Sequence, residues 1–220
     1  MRKAFFLIGI LVLTAIGPTL SVAAPATTTG VGILFGGQSF EANQSGSSTV
    51  NFSEMPSIVE VYTATWCSNC VDVEHALENI ENETGLQQSH THRAINEVQD
   101  PLGTIEIDQR FHDRYGVRAP PVVVFNGSVI KPGSVTDADS LESEFTSLAQ
   151  QSMEITGTST FTWNSTSNST GTAAWSIEPQ DLAFINQLDG YDSQSSLFAY
   201  AWIVEQSASF EEGSNGLGDY

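Results

Sequence analysis

The run Ile58 to Ala64, IVEVYTA, is β-branched and aromatic and stops at Thr65-Trp66-Cys67-Ser68-Asn69-Cys70. Beyond it Val73, Ala76, Leu77 and Ile80 recur at helical spacing as far as Gly85. This predicts a strand, a turn and a helix. The turn holds the only two cysteines in 220 residues. The near-continuous apolar strand further predicts a sheet covered on both faces.

The following segments extend the same architecture. Gln88 to Val98 reads as a second strand and a loop, and Ile105 to Tyr115 as a helix with Ile107, Phe111 and Tyr115 on one side. GVRAPPVVVFNGSVI then reads as a turn, two prolines, a buried strand Val122 to Phe125, an Asn126-Gly127 hairpin turn and a strand from Ser128. Asp137 to Gln151 opens on a capping Asp137 and repeats Leu141, Phe145 and Leu148, a helix able to pack on the sheet. After Gln151 alternating Thr, Trp and Phe with Ser/Asn/Gly turns predicts a β-rich module. The chain thus divides into 1–26, a signal peptide; 27–50, a Gly/Ser/Thr-rich linker with one short strand; 51–151, an α/β domain; and 152–220, a β-rich module ending in a loop, EEGSNGLGDY, that reads as incomplete.

Three uses of Cys67 and Cys70 are open: a redox centre, half a metal site, or a staple. A four-residue loop gains only about 2 kcal/mol from closure, against nearly 5 for a loop of ~100 residues, so the pair makes a poor staple. His90 and His92 are candidate metal partners, but His-x-His differs from the usual His-x(3 to 5)-His spacing and no third cysteine exists. No metal and no cofactor is expected; a surface copper-binding His pair is the alternative to two solvated histidines. At a helix mouth, free N–H groups and the positive end of the macrodipole lower the pKa of the first thiol. A redox pair of this kind needs an exposed Cys67 and a nearly buried Cys70.

EVYTATWCSNC, followed about fifty residues later by GVRAPPVVVFNG, resembles the thioredoxin superfamily over Phe52 to Gln151. The resemblance implies a central mixed sheet flanked by helices, with Cys67 as nucleophile and Cys70 as resolving thiol, the two forming a disulfide. It further implies a cis-proline at Pro121, preceded by Pro120, whose flanking backbone pairs with an extended substrate chain and whose ring keeps metals off the thiols. Trp66 is the expected platform for that chain. Ser68-Asn69 is neither the Gly-Pro of thioredoxin nor the Pro-His of strong oxidases, so no potential carries over. The buried Asp of thioredoxins aligns with Val61, and the nearest acid, Glu60, faces the other side by strand alternation; if buried, it is a candidate proton acceptor for Cys70. VEVYT before the cysteines, DPLGT and the trailing β-rich module bring the chain nearest to exported, poorly characterised thioredoxin-like proteins.

The N-terminus fits export. Arg2 and Lys3, an apolar run to Ile16, a Gly17-Pro18 break and small residues have the layout of a secretory signal cut after Ala23 or Ala26, and the run is short for a membrane span. A membrane association is expected only if that segment stays uncleaved. The whole chain carries 7 Lys plus Arg against 26 Asp plus Glu, which argues against nucleic acid or an anionic membrane surface as partner. All cations beyond the signal lie between Arg93 and Lys131: those two, Arg110, Arg114 and Arg118. They either favour a thiolate near Pro121 or pair with neighbouring acids, as Arg110 with Asp113 or Glu106. Six Asn-x-Ser/Thr triplets, at Asn43, Asn51, Asn82, Asn126, Asn164 and Asn168, fit a secreted or cell-surface glycoprotein. The expected activity is thiol-disulfide exchange on protein thiols or disulfides with an unidentified redox partner. The alternative is a cell-surface binding or adhesion protein that uses the α/β domain as scaffold.

Overall fold

A computed structural model of the chain describes residues 5–9, 34, 36–94, 100–117, 119–150, 156–168, 170–180, 201–210 and 213–220. In chain order these form β1 (Phe5–Gly9), β2 (Gln38–Glu41), β3 (Gly46–Asn51), β4 (Ile58–Thr63), α1 (Ser68–Thr84), β5 (Gln87–His92) and α2 (Ile105–Tyr115). There follow β6 (Val122–Phe125), β7 (Val129–Pro132), α3 (Leu141–Ala149), β8 (Gly157–Ser167), β9 (Thr170–Pro179) and β10 (Ala201–Glu205). The fold is mixed α/β and falls into two compact units. One gathers Gly36–Met55 and Ser152–Gln206 with the N-terminal residues; the other contains Pro56–Gln151 and Ser207–Tyr220. Most of residues 1–26 and the whole of 181–200 lie outside the described residues, as does Arg118.

The second unit is built on a four-stranded sheet ordered β5-β4-β6-β7. β4 runs parallel to β5 and antiparallel to β6, and β6 antiparallel to β7. Every residue of β4 is buried, as an inner strand covered on both faces requires. Val59, Val61, Val123 and Phe125 point to one face, where they meet Val73, Ala76, Leu77 and Ile80 of α1 and Phe145 of α3. Tyr62, Val122 and Val124 point to the other, against Phe111 and Tyr115 of α2. The β6–β7 turn has left-handed φ at both Asn126 (49°) and Gly127 (67°), and the Ser128 N–H closes it on the Phe125 carbonyl (3.1 Å) before Val129 pairs with Phe125. Asn126 also accepts a hydrogen bond from the Ile58 N–H through Oδ1 (3.0 Å), so this sequon's side chain is committed to the fold.

Three local expectations are revised. Ile107 is 48% exposed and does not join the buried face of α2; Asp108, one residue on, is buried there and accepts from Tyr62 Oη (2.7 Å) and the Ala94 N–H (2.7 Å). α3 starts at Leu141 behind Ser140, whose Oγ accepts from the Ser143 N–H (3.1 Å), so the cap is Ser140 and not Asp137. Within the segment read as a linker, Gln38–Glu41 and Gly46–Asn51 are strands. Their small polar residues hide the alternation, because β3 needs no apolar face to pair with β8.

The first unit holds two sheets, β3-β8-β9 and β10-β1-β2. Ser159, Phe161 and Trp163 alternate inward along β8, with Phe40 packed on Phe161 at 5.3 Å between ring centroids. On the opposite side hydroxyls pair across the strands, Ser47 with Thr162 and Thr49 with Thr160, both at 2.8 Å.

Candidate redox site

β4 delivers the chain to the cysteine turn at the end of the sheet, and α1 carries it away. Cys67 is the N-cap residue of α1 with extended backbone (φ −90°, ψ 103°), and it has no side-chain cap bond. Cys67 and Cys70 are joined by a disulfide with Cα atoms 5.4 Å apart. The Cys67 N–H donates to the Ala64 carbonyl (2.9 Å) and the Cys70 N–H to the Cys67 carbonyl (3.1 Å), closing the turn. Ser68 and Asn69 are exposed, whereas Cys67 is 7% and Cys70 0% exposed. Cys67 is therefore more covered than the exposed position expected of it; Ala64 and Trp66 pack into one cluster with the two cysteines.

Pro121 is buried, and the Pro120–Pro121 peptide bond is cis. Val122, next along, pairs with Tyr62 of β4, so Pro121 and the cysteine turn leave the sheet at the same end. Pro120 is half-buried. The Arg93 guanidinium lies over the Trp66 ring at 5.6 Å, a cation-π contact beside the cysteines. The Trp66 indole N–H is buried with no hydrogen-bond partner among the described residues.

Two other cations are paired away from this turn: Arg110 with Glu60 (2.8 Å) and Lys131 with Glu144 (3.2 Å). Glu60 is 1% exposed and also accepts from Tyr115 Oη. Burial first, and the charge of Glu60 next, push the Tyr115 hydroxyl well above its ordinary range, so it stays a donor. Glu60 lies on the α2 face and the α1 stripe that begins with Cys70 lies on the other, which removes Glu60 as proton acceptor for Cys70.

The buried acid on the α1 face is Glu74, one helical turn past Cys70. It accepts from Thr63 Oγ1, and its carboxyl is raised above the usual range by burial. Nothing in the sequence marked it, since a glutamate in an amphipathic helix reads as solvent-facing. Asp100 is the first residue of DPLGT, which the sequence marked only as part of the resemblance. It accepts from the Thr65 N–H, from the Leu102 N–H (2.9 Å) and from His92 Nδ1 (3.1 Å). Burial alone would raise its carboxyl, but these hydrogen bonds, with the nearby His92 charge, hold it below the ordinary range. Asp100 thus fixes the peptide leading into Trp66 and Cys67.

His90 and His92 share the α1 face of β5, but His92 is buried against Asp100, so they form no solvated surface pair. Among the described residues no three His, Cys, Asp or Glu side chains gather as a metal site. His75 is exposed, 3.4 Å from Glu78. Burial, then the charge of His92, lowers His90 to about 4. Its folded value lies below the unfolded one, so the stability it contributes is present above pH ~6.5 and is lost as pH falls toward about 4. Urea unfolding between pH 7 and 4 should show a component of about 1–3 kcal/mol in the wild type that His90→Asn lacks; parallel pH profiles would contradict it.

No protein-family model, curated protein or solved structure matches this chain. Its site is therefore read from its own chemistry. Among the described residues no helix is long and apolar enough to cross a membrane.

Proposed function

We propose that the chain is an exported thioredoxin-like thiol-disulfide oxidoreductase acting on protein thiols or disulfides through Cys67 and Cys70. One observation carries the reading: a two-residue-spaced disulfide sits at the mouth of a helix, at the end of an inner strand, and the cis Pro120–Pro121 bond lies at the same end of the sheet. Sheet order β5-β4-β6-β7 with helices on both faces supports the fold assignment.

In the reducing direction for this protein, a substrate thiolate attacks Cys67 Sγ. The new S–S bond forms as the Cys67–Cys70 bond breaks, and Cys70 leaves as a thiolate that takes up a proton. The second thiolate of the same substrate then attacks the substrate sulfur of the mixed disulfide, and Cys67 leaves as a thiolate. Two electrons have passed from the substrate dithiol, which ends as a disulfide; the opposite reaction runs the same steps backwards. The free N–H groups of the first turn of α1 stabilise the Cys67 thiolate, and Trp66, Pro120 and Pro121 bound the place where the substrate chain lies.

An insulin-reduction and disulfide-transfer assay, with the potential of the pair measured alongside, tests the activity. A disulfide that exchanges with no protein substrate would refute it. In that case the binding or adhesion reading gains, favoured by exposed Asn164 and Asn168 and by the hydroxyl row across β3 and β8. Export predicts a secreted chain beginning at Thr27 or Ala24 by mass, without β1; an intact N-terminus on the cell would argue for the anchored form.

A further inference from the structure

The residues that the sequence left as an incomplete loop fold back onto the redox turn. Ala208 and Tyr220 exchange backbone hydrogen bonds (2.7 and 2.9 Å), and the Phe210 N–H donates to Gly218 (3.0 Å), so 208–210 and 218–220 run as a narrow antiparallel pair. From its tip the Asn215 N–H donates to the Thr65 carbonyl (3.1 Å), and Asn215 Nδ2 to the Ala64 carbonyl (3.4 Å). Tyr220 Oη donates to Asn215 Oδ1 (2.6 Å), locking the Asn side chain, and its ring stands edge-on to His92 at 5.2 Å. A Cβ at Gly213 would lie 3.1 Å from the Thr65 carbonyl oxygen and 3.0 Å from Tyr220 Oη, so the backbone there approaches the turn closely.

Thr65 is consequently clamped from two sides. Asp100 takes its N–H and Asn215 takes its carbonyl, directly before Trp66 and Cys67. Both sulfurs are buried in this state, and the Trp66 indole N–H is out of water with no acceptor among the described residues.

We propose that residues 207–210 and 213–220 form a strap belonging to the redox site, with Asn215 and Tyr220 as positioning residues that keep the Cys67–Cys70 disulfide shielded until an incoming chain displaces them. The occupied Thr65 carbonyl is a backbone acceptor at the entrance to the cysteines. A substrate that approaches in extended form competes with Asn215 for this edge. The consequence for protein substrates rests on the oxidoreductase reading; the shielding itself does not.

The test compares the full chain with Asn215→Ala/Tyr220→Ala in reduction by dithiothreitol. One reagent thiolate attacks Cys67, Cys70 leaves and is protonated, and the second reagent sulfur closes its ring and frees Cys67, so two electrons enter the protein. Counting alkylated thiols by mass over time gives the rate. The double variant should react about tenfold faster, the change produced by losing about 1.4 kcal/mol of closing free energy. An unchanged rate in a variant with native circular dichroism would overturn the strap. Should the variant not fold, the Cys70→Ser chain decides: hydrogen exchange at the Asn215 amide should quicken once a cysteine peptide is joined to Cys67 as a mixed disulfide, and unaltered protection would overturn the idea. Faster reduction of the double variant with no exchange on any protein substrate would leave the strap standing and remove the oxidoreductase.

Discussion

A Cys70→Ser chain offered a protein disulfide such as insulin should accumulate a mixed disulfide through Cys67, while Cys67→Ser should accumulate none and lose exchange by on the order of a thousandfold or more. The asymmetry follows from position. In the proposed reaction Cys67 acts first because it is the N-cap residue of α1, at the end where the first-turn N–H groups have no intrahelical partner and favour a thiolate. Cys70 lies inside the first turn and is fully buried, where a separate partner cannot reach it but the neighbouring Cys67 sulfur can. Removing Cys70 therefore stalls the reaction after its first step, whereas removing Cys67 prevents that step. Gel shift under non-reducing conditions, with the trapped sulfur located by mass, reads both outcomes. Trapping through Cys70, or equal exchange by both variants, would reverse the assignment.

Arg110→Met should destabilise the fold by about 3 kcal/mol in urea unfolding at neutral pH. The guanidinium is the charged partner of Glu60, whose carboxylate lies in the middle of the sheet, and Tyr115 Oη alone would then face that carboxylate. The loss is kept from being larger because Arg110 is 32% exposed and water can follow it in. Glu60→Gln in the same chain should recover most of the loss, since a neutral amide still accepts from Tyr115 and leaves no buried charge unpaired. An Arg110→Met chain as stable as the wild type would show the pair to be dispensable.

This pair also marks where reading along the chain stops working. Arg110 has acids within one turn at Glu106 and Asp113, and on an isolated helix those are its natural partners. The tertiary fold instead brings α2 against β4 and offers a carboxylate that cannot reach water, and the stronger electrostatic demand of the buried group wins. The same contrast separates His92 from a solvated histidine: Asp100, from the loop after its strand, and Tyr220, from a distant stretch of chain, close over it.

What the sequence determined by itself is local. The apolar strand, the stripe of α1 and its Gly85 stop, the Asn126-Gly127 turn and the spacing of the two cysteines each depend on residues a few positions apart, where backbone conformation and burial periodicity decide the outcome. Only the tertiary structure decided which polar groups meet: Glu60 with Arg110 and Tyr115, Asp100 with Thr65, and Asn215 with the backbone that enters the cysteines. Hydrogen-bond partners of this kind are selected by which donors and acceptors the packed sheet leaves without water. No spacing rule along the chain encodes that selection, because the groups come from strands, helices and a strap up to 151 residues apart.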